Sequence, residues 1–170
     1  MAAMLMGAWS LQSCDNEPTK EVWLDEFGQD SCYVQDWGML EVNRSVVHTP
    51  LTVNGVVYER GLGAHSISRL LYDLDGKAVS ISGLAGADDK NLFAGKLQFK
   101  ILGDKKELWK SGVMQKGDPV KEFNVNLKGV DKVLLLVEEC GDGIMYDHAD
   151  WLNVKITTRG DVKPVPAWAK

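Results

Sequence analysis

The sequence predicts an all-β domain, an antiparallel β-sandwich or jelly roll. Three observations carry that expectation. Apolar and polar residues alternate in short runs, turn residues separate those runs, and no segment holds a 3.6-residue apolar period over three helical turns. Many short strands with no helices between them close into two packed antiparallel sheets.

The runs can be followed along the chain. Leu70, Tyr72 and Leu74 share one face, and Val79 and Ile81 come next. Leu97, Phe99 and Ile101 alternate with Lys96, Gln98 and Lys100, and Phe123, Val125 and Leu127 alternate with Asn124 and Asn126. That period of two puts one face on a core and the other in water. Val133–Val137 is continuously apolar, as expected of a strand buried on both faces, and Val154 with Ile156 reads as the closing strand. Between them stand the turn signals Asp75-Gly76, Gly103-Asp104, Lys116-Gly117-Asp118-Pro119, Lys128-Gly129 and Gly141-Asp142-Gly143.

With 170 residues the chain fits one domain with short tails. The expected division is a leader and tether over 1–20, a sandwich over 21–158 and a Pro-containing linker over 159–170. A net charge of −5, with no basic stripe, excludes a nucleic-acid partner, because the electrostatic attraction to phosphate is missing. Six Trp against four Phe and four Tyr supply flat indole faces, useful for stacking on sugar rings or for filling a core.

Residues 1–11 are apolar and uncharged, too short to span a bilayer but long enough for the apolar region of an export signal. Leu11-Gln12-Ser13-Cys14 follows and resembles a bacterial lipobox, although no basic residue precedes the apolar run. The expectation is an exported protein, a cell-surface or periplasmic lipoprotein held to the membrane only through lipid on Cys14; the alternative is a frayed terminus with a chance cysteine. Cys32 and Cys140 then remain as a pair, either bonded to each other or two buried thiols.

Chemistry-bearing residues gather in three clusters: Tyr58–Ser66 with Arg60 and His65, Gly86-Ala87-Asp88-Asp89, and Gly141–Trp151. In the first, Gly61 and Gly63 permit a positive φ or a close backbone approach. The three histidines form no zinc-binding pair, and no G-x-S-x-G is present, which argues against a zinc enzyme or a serine nucleophile. Asp88, Asp147 and Asp150 are the acids available for glycosidase chemistry, on a domain with no evident cleft. Asp88, Asp89 and Asp142 are the candidates for one structural calcium ion. His65 and His148 suit either ligand contact or loop support, Trp151 either a site or the core, and Trp37, in a polar loop, suits an exposed platform.

These clusters, in this order, resemble the NPCBM/NEW2 domain, related to carbohydrate-binding module family 51. The residues that carry the likeness are Val22-Trp23-Leu24-Asp25, Trp37-Gly38, Pro50-Leu51 with Gly55 and Tyr58, Gly61-Leu62-Gly63-Ala64-His65, Gly86-Ala87-Asp88-Asp89, Ser111-Gly112-Val113-Met114, and Gly141-Asp142-Gly143 followed by Asp147-His148-Ala149-Asp150-Trp151. The resemblance implies a galactose-binding-domain-like sandwich, without catalysis of its own, that attaches a glycoside hydrolase catalytic domain to galactose-containing glycans, often with a bound calcium. Candidate sugar contacts are Trp37, Arg60, His65, Asp88, Tyr146, Asp147, His148 and Trp151. The competing expectation is a protein-interaction or structural lipoprotein domain on the same sandwich, without a sugar site.

Overall fold

The computed structural model describes residues 17–93 and 95–166. In chain order the strands are β1 (Lys20–Trp23), β2 (Cys32–Gln35), β3 (Glu41–Val42), β4 (Leu51–Val53), β5 (Val56–Tyr58), β6 (Gly61–His65), β7 (Ser68–Asp73), β8 (Ala78–Ala87), β9 (Leu97–Gly103), β10 (Lys106–Met114), β11 (Lys121–Asn126), β12 (Lys132–Glu139), β13 (His148–Thr158) and β14 (Lys163–Pro164). One sheet runs β11-β8-β13-β6-β3 with β1 also on β13; the other runs β10-β9-β12-β7-β14 with β2 also on β7. All these pairings are antiparallel, and β4 and β5 form a separate hairpin. The predicted sandwich is therefore the observed one.

The alternation in the sequence becomes the core. Leu97, Phe99 and Ile101 on β9 are fully buried, as are Leu70 and Tyr72 on β7 and Leu135 and Val137 on β12. Trp151 joins the two layers: it lies on β13 of one sheet and packs edge-on against Phe99 of the other at 4.8 Å between ring centroids. Its other edge-on neighbour is Phe123 on β11 at 5.7 Å. Such perpendicular aromatic pairs add about 0.5–1.5 kcal/mol each beyond the area they bury.

Two local features differ from expectation. A 3-10 helix spans Leu24–Ser31, interrupted at Gly28 by a positive φ of 62°. It is held by tertiary contacts: Leu24 is fully buried and Phe27 leans on Tyr72 at 5.8 Å. Residues 159–166, expected to be a free linker, are docked on the sandwich. Val162 is buried, Lys163 and Pro164 bridge to β7, and Val165 N–H donates to the Leu71 carbonyl at 2.8 Å.

Gly61 and Gly63 serve close approach, since neither has a positive φ. A Cβ on Gly61 would sit 2.5 Å from the Trp151 carbonyl, and one on Gly63 would overlap the Arg44 carbonyl and the Ser45 backbone. This thin strand lets the 43–46 loop press onto the sheet. Antiparallel register then pairs His148 at the start of β13 with His65 at the end of β6. Ala149 also pairs with Ala87 at the end of β8, so the three sequence clusters meet at one end of the sandwich.

Candidate functional site

At that end an open cavity of about 580 Å³ is lined by Trp37, Val47, His65, Lys90, Leu92, Ile144, Met145, Tyr146 and His148. Its floor is an aromatic cluster. Trp37 stacks on His148 with centroids 5.8 Å apart and planes 11° apart, and lies 4.9 Å from His65. The two imidazoles are 5.5 Å from each other. They are buried from the side, while Trp37 remains 48 % exposed. Trp37 is therefore held from below and open above, the geometry of a stacking platform.

Burial lowers the pKa of both imidazoles, and for His148 the neighbouring His65 lowers it further. Both rings are neutral at neutral pH. His65 Nδ1 lies 2.6 Å from the Ser66 carbonyl, which can only accept, so this bond assigns the proton to Nδ1. Nε2 of His65 is then an acceptor fixed in direction, suited to a hydroxyl donor.

The acids lie beneath this floor. Asp147 is fully buried; its carboxylate accepts from Ser66 Oγ at 2.5 Å, and its carbonyl accepts from Ser66 N–H at 3.1 Å. Burial pushes its pKa up to about 6, opposed by the Ser66 bond and reinforced by the charges of Asp142 and Glu139. It pins the 141–147 loop to the turn that carries His65. Gly95 makes the same junction from the third side, since a Cβ there would strike the Asp147 carboxylate and the Met145 and Tyr146 carbonyls. Asp88 is also fully buried, accepting from Lys90 N–H at 2.7 Å and Thr52 N–H at 3.3 Å. Asp89 accepts from Asn54 and Gly55 N–H and so holds the β4–β5 hairpin. Asn91 closes the arrangement, donating to the His148 carbonyl and accepting from its N–H.

The expected calcium ligands Asp88, Asp89 and Asp142 do not come together: Asp142 is exposed, and Asp89 spends both oxygens on the hairpin. Among the described residues no group of three or more His, Cys, Asp or Glu side chains is placed to hold an ion. A different acid fits a cation better. Asp150 is fully buried, and among the described residues neither of its oxygens has a donor. Burial, then the charge and carboxyl contact of Asp88 and the charge of Asp89, hold its pKa well above the carboxylate range. Two carboxyl groups in contact and this desolvated need a proton or a cation between them.

Of the expected sugar contacts, Trp37, His65, Tyr146 and His148 line the cavity. Asp88 and Asp147 stand behind it as loop anchors. Trp151 is core, because its position in β13 points the indole between the sheets. Arg60 lies at the opposite end of β6, over the Trp23 ring at 4.4 Å and paired with Asp25 at 2.9 Å and Glu26 at 3.2 Å. Its guanidinium is thereby used to hold the 3-10 helix. Cys32 and Cys140 are free thiols. Cys32 faces Leu70, Leu70 faces Leu135, and Cys140 comes five residues later, a separation of about 19 Å at sheet spacings and beyond disulfide reach. Cys14 lies outside the described residues. The sequence reading missed Val47, Lys90, Leu92, Ile144 and Met145. Leu92 and Met145, 72 % and 73 % exposed, carried one available signal: large apolar residues within turn sequence.

The NPCBM/NEW2 domain model matches residues 20–157. The chain belongs to this carbohydrate-binding family. An alpha-1,3-galactosidase B from Akkermansia muciniphila is 29% identical over 130 residues, which cover 74% of this chain and 16% of that enzyme. The chain thus spans a small part of the curated relatives it matches. Among solved structures, a family 51 carbohydrate-binding module from Clostridium perfringens GH95, in complex with methyl-galactose, superposes with a TM-score of 0.72 at 25% identity. That match covers 81% of this chain and 99% of the module. The M60 catalytic domain with two such modules from Clostridium perfringens ZmpB gives a TM-score of 0.74 at 28% identity, covering 83% of this chain and 15% of that one. Modules of this NPCBM/NEW2 kind therefore occur as parts of larger enzymes.

Proposed function

We propose that this NPCBM/NEW2 domain binds the terminal sugar of galactose-containing glycans, without catalysis, and brings an attached glycoside hydrolase to them. The observation that carries the reading is the half-exposed Trp37 indole, stacked on His148 beside the fixed Nε2 acceptor of His65. One pyranose face lies on the indole, and neutral imidazole nitrogens take hydroxyl hydrogens. The galactosidase relative and the methyl-galactose complex support galactose as the sugar. The non-catalytic reading is supported by Asp88, Asp147 and Asp150, all fully buried rather than facing each other across the cavity. The same proposal includes a structural calcium at Asp88 and Asp150, and export as a lipoprotein through Cys14.

A glycan array followed by calorimetry tests the sugar. Selective galactoside binding, lost in Trp37→Ala, is the expected result. Silence across the array from a folded protein would overturn it and favour the protein-interaction reading. That second reading has its own support in an apolar groove on the outer face of the β7-β12-β9 sheet. There Leu71, Leu134 and Leu102 stand side by side, rimmed by Arg69, Lys105 and Lys132.

A further inference from the structure

The cavity floor accounts for Trp37, His65 and His148, but not for the apolar residues that climb away from it. Phe93 is 67 % exposed and lies outside the cavity lining. Its ring meets Tyr146 edge-on at 5.0 Å and 71°. Tyr146 in turn stands 6.5 Å from His148, which stacks on Trp37 at 5.8 Å. Four rings thus form a path from the floor to the rim, in steps comparable to the size of one pyranose ring. Met145 and Leu92 flank the path, both largely exposed. Such side chains cost hydration free energy unless a ligand covers them, and a lone hexose seated on Trp37 leaves Phe93 uncovered, since that ring lies outside the cavity lining.

The loops that hold this path are built to keep it in place. Tyr146 has a positive φ of 65°, which turns the loop tip. Asp147, the next residue, is clamped by Ser66, and the close approach of Gly95 locks the Phe93 loop against the Tyr146 loop. The outer rings are therefore fixed relative to the inner ones, as binding groups must be if they are to add affinity without an ordering cost.

We propose that Phe93 and Tyr146 form a second sugar subsite, taking the C–H face of the residue linked to the terminal sugar, so that this domain reads a disaccharide or longer chain. This inference rests on the Trp37 site being a sugar site. Continuity of the ring path with that site argues for a second sugar over any other occupant of the rim.

Calorimetry on the full chain with methyl galactoside, N-acetyllactosamine and an α1,3-linked galactobiose tests it. The expected result is that at least one disaccharide binds about tenfold more tightly than the monosaccharide, the worth of one added stacking contact. Phe93→Ala should erase that gain and leave methyl galactoside binding unchanged, and Phe93→Trp should restore it. Disaccharides no tighter than methyl galactoside, or a gain that survives Phe93→Ala, would overturn the second subsite while leaving the first in place. Binding of no galactoside at all would overturn the reading of the Trp37 site, and this inference with it.

Discussion

Trp37→Ala separates the platform from the fold, because the indole supports a ligand more than it supports the protein. Aromatic side chains bury about 150–250 Å² when fully covered, and at 48 % exposure roughly 100 Å² of Trp37 remains open. A pyranose covers one face, about half of that area, worth roughly 1.3 kcal/mol at about 25 cal/mol per Å². The stacking preference adds about 0.5–1.5 kcal/mol. The expected loss is therefore about 2 kcal/mol, or about 30-fold in Kd. Calorimetry with the tightest galactoside reads the affinity, and thermal denaturation reads the fold, which should hold because Trp37 is half exposed and lies outside the buried core. Unchanged affinity in a folded Trp37→Ala protein would refute the platform argument. Lost binding together with collapse of the fold would refute the separation of platform from scaffold.

Three further outcomes follow from the same geometry. Asp147 has a folded pKa of about 6, above its ordinary value, so folding favours its protonated form. Its charge penalty is absent below the ordinary carboxylate range, grows as pH rises toward about 6 and levels off above that; Asp147→Asn should therefore gain stability relative to wild type between pH 4.5 and 7.5 in melting curves, and a constant difference would refute the assignment. Gly63→Ala forces a methyl into the Arg44 and Ser45 backbone and should cost about 1–3 kcal/mol in denaturant titration; an unchanged stability would refute the close-approach argument. If calcium neutralises Asp88 and Asp150, EDTA should lower the Tm and added calcium restore it; a Tm indifferent to both means that a shared proton does that work.

The fold was legible because its signals are local. Strand alternation at Leu97-Phe99-Ile101 and at Phe123-Val125-Leu127 needs no partner to be recognised, and a period of two fixes which face meets the core. The 3-10 helix was not legible, since it is held where Phe27 leans on Tyr72, a residue far along the chain. For the site, the clusters around His65, Asp88 and His148 were visible as unusual groupings, and Trp37 stood out as an indole in polar surroundings. What each residue does there was not visible.

The sandwich, the family and the candidate site residues can be read along the chain, because alternation, turns and motifs are written in neighbouring positions. Which of those residues face the cavity depends on how the strands pair. Pairing His148 with His65 brings the two rings together, while the same strand turns Trp151 inward against Phe99 and buries Asp150 without a donor. Arg60, four residues before Gly61-Leu62-Gly63-Ala64 ends, is carried to the far end of β6 and spent on Asp25. Strand register, set across the whole sheet, assigns each side chain to core, anchor or surface, and no run of neighbouring residues contains it.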